Sequence, residues 1–148
     1  MANFTGAFPV HAVDFEINTA PGAGAGTYVS IKDLESAKIT IDSTVETWTP
    51  LDQGGWQRAL ATAKSYTIAC SGKRCVGDPG NDFIASKQIA IGQECSTDFK
   101  ATFPDGSVFS GGVVIGVSEC GTGDSTNVGP LVFDLTSDGK PTYTPATA

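Results

Sequence analysis

Ser96-Thr-Asp-Phe99-Lys-Ala101-Thr-Phe103-Pro104-Asp-Gly-Ser107-Val108-Phe-Ser-Gly111-Gly112-Val113-Val-Ile-Gly-Val117 is the stretch that decides the fold. From Ser96 to Phe103 the residues alternate, with Phe99, Ala101 and Phe103 on one face. That period of two is the mark of a half-buried strand. Pro104-Asp105-Gly106-Ser107 has tight-turn chemistry. Val108–Val117 then returns as a second strand, in which Gly111-Gly112 marks a bulge or a close approach of another backbone. Val113 to Val117 is apolar toward both sides, which predicts a strand covered on both faces.

The same grammar extends outward. Downstream, a Gly/Ser/Thr loop (119–127) leads to a strand over Val128–Thr136 with Leu131, Phe133 and Leu135 on one face. Ser137-Asp-Gly139 turns, and residues 137–148 form a Pro-punctuated C-terminal tail. Upstream, residues 1–9 read as an N-terminal arm and Val10–Ile17 as an alternating strand. Asn18–Gly26, with its alternating Gly, is a flexible loop rather than a phosphate-binding one, because no helix pattern follows it. Thr27–Asp33, Ile39–Ile41 and Thr44–Trp48 are β-branched strand segments, and Leu34–Lys38 is either a helical turn or a strand continuing through a bulge. In Ser65–Ser71, Tyr66, Ile68 and Cys70 share a face. The one good helix is Phe83–Gln88, reaching about Ile91 and capped by Asn81 or Asp82 after an Asp-Pro-Gly turn.

The 148 residues make one domain, with Gly at 18 positions and turn signals between short runs. The expected fold is all-β with one short α-helix, a β-sandwich or half-barrel with a long loop and two arms. That loop, residues 49–64, is entered through Trp48 and includes most of Trp48-Thr-Pro50-Leu51-Asp-Gln-Gly54-Gly55-Trp56-Gln-Arg58, which holds both tryptophans of the chain around Pro and Gly-Gly. Either the indoles fold back as a lid on the domain's own core, or they present an apolar surface to a partner.

The formal charge of −7, from 9 basic and 16 acidic residues, argues against gripping nucleic acid. The start carries no basic segment followed by an apolar run, so a cytoplasmic origin without membrane attachment is expected. Cys70, Cys75, Cys95 and Cys120 have no metal-site spacing, His11 is the single histidine, and the default is four free thiols with no metal. No G-x-S-x-G elbow is present, and the carboxylate pairs Asp33/Glu35 and Asp78/Asp82 read as a solvated edge and a turn. No catalytic residue and no cofactor are expected.

Read in order, Trp48-Thr-Pro50, Gly55-Trp56, Lys64-Ser65, Ser71-Gly72-Lys73-Arg74 and Gly77-Asp78-Pro79-Gly80-Asn81-Asp82 form a signature. Gly123 to Leu131 and Ser137 to Tyr143 complete it. From about residue 45 onward the chain resembles the major tail (tail tube) proteins of siphovirus-type long-tailed bacteriophages. The four cysteines and Ala59-Leu-Ala-Thr-Ala63 depart from that pattern. The resemblance implies a structural virion protein that forms hexameric rings stacked into a tube. DNA would pass through the tube without specific binding. Further tail proteins (tape measure, tail terminator, baseplate or tip) would be partners. It also implies subunit contacts through Trp48, Pro50, Leu51, Gly55, Trp56 and Tyr143. A channel lined by some of Asp33, Glu35, Asp98, Glu119 and Asp134 follows from like-charge repulsion of DNA. Leu51–Thr62 is then expected to order on assembly. The competing class is a monomeric β-sandwich module that binds carbohydrate or another ligand, with Trp48, Trp56 and Tyr66 as a stacking platform.

Overall fold

The computed structural model describes residues 5–21 and 26–146. The start of the N-terminal arm (1–4), residues 22–25 of the Gly/Ala loop and the last two tail residues lie outside the described residues. Eight strands and one helix follow in order: β1 Asp14–Asn18, β2 Tyr28–Ser30, β3 Leu34–Trp48, β4 Arg58–Lys73, α1 Pro79–Ala85, β5 Ser96–Thr102, β6 Val108–Cys120, β7 Pro130–Ser137 and β8 Thr142–Thr144. They make one antiparallel sheet in the order β2-β1-β5-β6-β7-β4-β3, with β8 paired to β6. The fold is all-β with one short helix, as the residue pattern indicates.

The β5–β6 hairpin holds the register the alternation demands. Thr97, Phe99 and Ala101 are buried while Asp98 and Lys100 point to the other face. The pairing runs from Ser96↔Val114 to Thr102↔Val108. Its turn is closed by Asp105, whose Oδ1 accepts from the Ser107 amide (2.9 Å) and hydroxyl (2.6 Å). The Ser107 hydroxyl, then its amide, hold the Asp105 carboxyl below its ordinary range. Gly111 and Gly112 are not a bulge, since pairing is continuous through them. They are close approaches: a Cβ on Gly111 would lie 2.6 Å from the Tyr66 hydroxyl, and one on Gly112 would lie 2.8 Å from the Asp138 carbonyl.

The sheet curls so that its two ends meet over a common core. Phe99, Ile17, Ile68, Val113, Leu131, Phe133 and Leu135 are fully buried on its concave face. Val13 and Phe15, leading into and on β1, and Ala101 on β5 line the same cavity of about 370 Å³ as Ala37 and Ile39 of β3, at the opposite edge of the sheet. Hydrogen bonding does not close the barrel: among the described strands, the outer edges of β2 and β3 have no strand beside them. The expectation that Val113–Val117 is covered on both faces is corrected. Val113 and Ile115 are buried, but Val114 is 37% exposed and Gly116 is exposed. An antiparallel sheet can leave one face to solvent, and the apolar run there does not mark a second layer.

The helix starts earlier than its pattern suggests. Asp78 is the N-cap, accepting from the Asn81 amide (3.0 Å), and Pro79 occupies the first turn, where a missing N–H costs nothing. The helix ends at Ala85 rather than near Ile91, and Ile89 and Ile91 are exposed. Asn81, fully buried, ties the helix to the sheet. Its Nδ2 donates to the carbonyls of Lys32 (3.0 Å) and Lys73 (2.9 Å), and its Oδ1 accepts from Arg74 (2.8 Å). Arg74 also reaches Asp82 at 2.8 Å. The Ser71–Arg74 and Gly77–Asp82 motifs are therefore two halves of one polar joint. Leu34–Lys38 is strand, with a register shift between Leu34 and Ser36.

Candidate functional site

Leu34–Trp48 is one unbroken strand, not two segments, and so is Arg58–Lys73. Strand β4 has β7 on its far side only from Thr67 to Lys73. From Ile41↔Tyr66 to Trp48↔Arg58 the chain pairs with β3 alone. That pairing is a two-stranded ribbon standing off the body, about 25 Å long at ~3.3 Å per residue. Residues 40–49 and 51–65 are exposed throughout. The connection at its tip is only 49–57, so the expected loop 49–64 is corrected: 58–64 is strand. Alanine is a poor strand former, which is why Ala59–Ala63 reads as loop. Pairing with the β-branched run Thr44-Val45-Glu46-Thr47 imposes the extended form.

A register shift between Thr44 and Val45 twists the ribbon, with Thr62 the extra residue and its hydroxyl donating to the Thr44 carbonyl at 3.3 Å. Beyond it, Glu46 pairs with Leu60 and Trp48 with Arg58, so these four side chains share one face. The Arg58 guanidinium lies 5.8 Å from the Trp48 ring centroid. At the tip, a 3-10 turn over Leu51–Gln53 ends in Gly54 (φ 61°) and Gly55 (φ 90°). Two successive residues at positive φ strongly favour glycine, which has no Cβ to clash there. The Trp56 amide then donates to the Gln53 carbonyl at 3.1 Å.

The result is an apolar surface without cover. Trp48 is 43% exposed, Trp56 78% and Leu51 104%. Ile41, Val45 and Leu60 are exposed along the ribbon. Neither indole is a lid on this domain's core. Leu60 shares a face with Trp48 and Val45 lies on the other, so apolar side chains are exposed on both faces of the ribbon as well as at its tip. A two-stranded ribbon is marginal in water by itself, and exposed apolar surface of this kind marks interaction sites. Pro50 is half-buried at the foot of the tip, and Tyr143 is exposed on β8 opposite Phe109 of β6. The structure thus gathers Trp48, Pro50, Leu51, Gly55 and Trp56 at one end of the ribbon and leaves Tyr143 on the body.

The sugar-platform arrangement is not formed. Tyr66 is 3% exposed, sits against Phe99 and Phe109, and donates its hydroxyl to the Gly112 carbonyl at 2.6 Å. Burial first, then the charges of Asp138 and Asp98, raise its pKa. It cannot stack a ligand beside Trp48 and Trp56.

Of the acidic candidates, Asp98, Glu119 and Asp134 project from the solvent face of the sheet, opposite the core. Asp98 pairs with Gly112, Asp134 with Gly116 and Glu119 with Val132. Asp14 and Glu16 of β1 lie on that same face, with Lys100 and Lys38 among them. Glu35 sits at the bulge and ion-pairs with Lys73 at 3.5 Å. Asp33 is off the face, in the turn before β3 with φ 61°. Asp78 and Asp82 are engaged as helix cap and Arg74 partner. The four cysteines are free thiols. Burial, then the charge of Asp134, pushes Cys70 up to about 12. Among the described residues, no group of three or more His, Cys, Asp and Glu side chains comes together.

No protein-family model matches the chain, and no curated protein matches it. Solved structures do. A chain from the tail of an empty gene transfer agent particle, determined with C6 symmetry, superposes with a TM-score of 0.74. It is 18% identical, over 94% of this chain and 100% of that one. A chain from the virion of a native gene transfer agent particle superposes equally well, at 17% identity and with the same coverage. At these identities the likeness establishes a shared fold: this chain has the fold of subunits found in gene transfer agent particles.

Proposed function

We propose that this protein is a structural virion subunit that assembles into stacked six-membered rings, forming a tail tube through which DNA passes. The observation that carries the reading is the apolar ribbon, held out from a domain whose fold is that of a chain in a C6-symmetric tail. A monomer gains nothing from exposing two indoles and Leu51, whereas a subunit that seats them on a neighbour gains their burial. The free edges of β3 and β2 support the same reading, since joining sheets edge to edge around a ring removes them. In this reading the solvent face of the sheet turns to the channel, with Asp98, Glu119 and Asp134 repelling the phosphate backbone so that DNA slides without sticking. Glu35 would lie at the margin of that lining, and Asp33 outside it. Contacts between subunits run through Trp48, Pro50, Leu51, Gly55 and Trp56, with Tyr143 a second point. The tape measure would lie inside, and terminator and baseplate proteins at the ends.

The test is sedimentation with negative-stain microscopy across a concentration series of the purified protein. Rings or hollow tubes above a threshold concentration are the expected result. Dispersed monomers at every concentration overturn the proposal.

A further inference from the structure

The ribbon's tip needs a seat, and the body offers one. At the ribbon's root, a cleft of about 530 Å³ opens between β4, β6 and the β7–β8 turn. Its floor is Ile41, Tyr66 and Phe109, and its wall is Pro141. Lys64 and Lys140 stand at its border. The volume lies in the range that holds a bulky apolar group such as an indole.

We infer that this cleft receives the ribbon tip of a second copy of the chain, Leu51 and Trp56 against its apolar floor and Asp52 toward Lys64 and Lys140. The inference rests on the assembly role proposed above and adds the receiving surface. Charge complementarity selects the occupant. In a chain of net charge −7, the cleft border carries two lysines, and the sole charge from Thr49 to Gln57 is Asp52. Asp138 and, from the opposite face of the sheet, Asp98 are felt at Tyr66 on the floor, while Lys64 and Lys140 are the charged side chains that line the cleft itself. The tip cannot serve its own cleft, because about 25 Å of paired ribbon separates the two. Tip and cleft are different surfaces, so the contact is head-to-tail, the kind that closes into a ring or propagates along a column.

Charge reversal with rescue tests it. Asp52→Lys alone, and Lys64→Asp with Lys140→Asp, are each expected to raise the critical concentration for assembly at least tenfold in sedimentation velocity. The triple variant is expected to return within about threefold of the wild type. All three positions are exposed, so thermal melts of the monomers should coincide; were the cleft pair to unfold, Asp52→Lys against the triple variant still decides. Wild-type assembly by the cleft variants, or no recovery in the triple variant, overturns the seat while leaving the tube reading standing. Failure of the wild type itself to assemble removes both.

Discussion

Replacing Trp56 with alanine separates a side chain that holds the domain together from one that joins domains. A fully enclosed aromatic side chain covers roughly 200 Å². Trp56 is 78% exposed, so about 150 Å² awaits a partner, corresponding to up to ~4 kcal/mol at ~25 cal/mol per Å². The portion already covered within the monomer holds about 1 kcal/mol on the same scale. Since hot-spot side chains, among which tryptophan is enriched, cost about 2 kcal/mol or more when truncated, Trp56→Ala is expected to raise the critical concentration for assembly by about 30-fold at least. The monomer's melting temperature should fall by no more than about 4 °C, at ~2–4 °C per kcal/mol for this size. Sedimentation velocity reads the first quantity and circular dichroism melting the second. Two outcomes refute the reasoning: assembly at the wild-type concentration, or a monomer that loses 10 °C or more, which would mean the indole packs on its own body.

Three further expectations concern the scaffold. Asn81→Leu removes three hydrogen bonds at the joint of helix and sheet; at about 1 kcal/mol each the monomer should lose ~3 kcal/mol in urea titration, and an unchanged midpoint would show that the joint does not couple the two. Gly72→Ala would place a Cβ 2.3 Å from the Asp33 carbonyl, prising β3 from β4 at a cost of about 1–3 kcal/mol, whereas Gly116→Ala meets only the Asp134 carbonyl at 3.9 Å and should melt almost as the wild type does. Burial raises the Cys70 thiol from 9.0 to about 12, so its contribution to stability is intact below about pH 9 and declines as pH rises toward 12; a Cys70→Ala variant should lose less stability than the wild type over that window in denaturant titrations, and equal losses would contradict the burial. In native protein, Cys70 should also resist thiol-specific alkylation, which the half-buried Cys75 and Cys120 accept.

Most of the body was legible because a sheet with one buried face writes its register into the sequence. Phe99 and Ala101, Leu131 and Leu135, and Tyr66, Ile68 and Cys70 all lie inward as alternation requires. Local pattern failed where long-range pairing decides. Ala59–Ala63 has no strand preference of its own and becomes strand through Thr44–Thr47. Val113–Val117 is apolar on both sides, yet only one side is covered in the single chain. Asp78, directly before Pro79, was the available signal for the helix start, because proline favours the first helical position. The tip residues were findable from composition, since two tryptophans flank a Pro and a Gly-Gly. The cleft proposed to receive them was not, because Ile41, Tyr66, Phe109 and Pro141 converge only once β3, β4, β6 and the β7–β8 turn are placed.

The most direct test of the central claim is cryo-electron microscopy of the assembled wild-type protein, viewed end-on and reconstructed with helical symmetry. Six subunits around an open channel, with the ribbons seated on neighbours and Asp98, Glu119 and Asp134 facing the bore, is the predicted result. A filament without a bore, or rings in which the ribbons hang free in solvent, would contradict it.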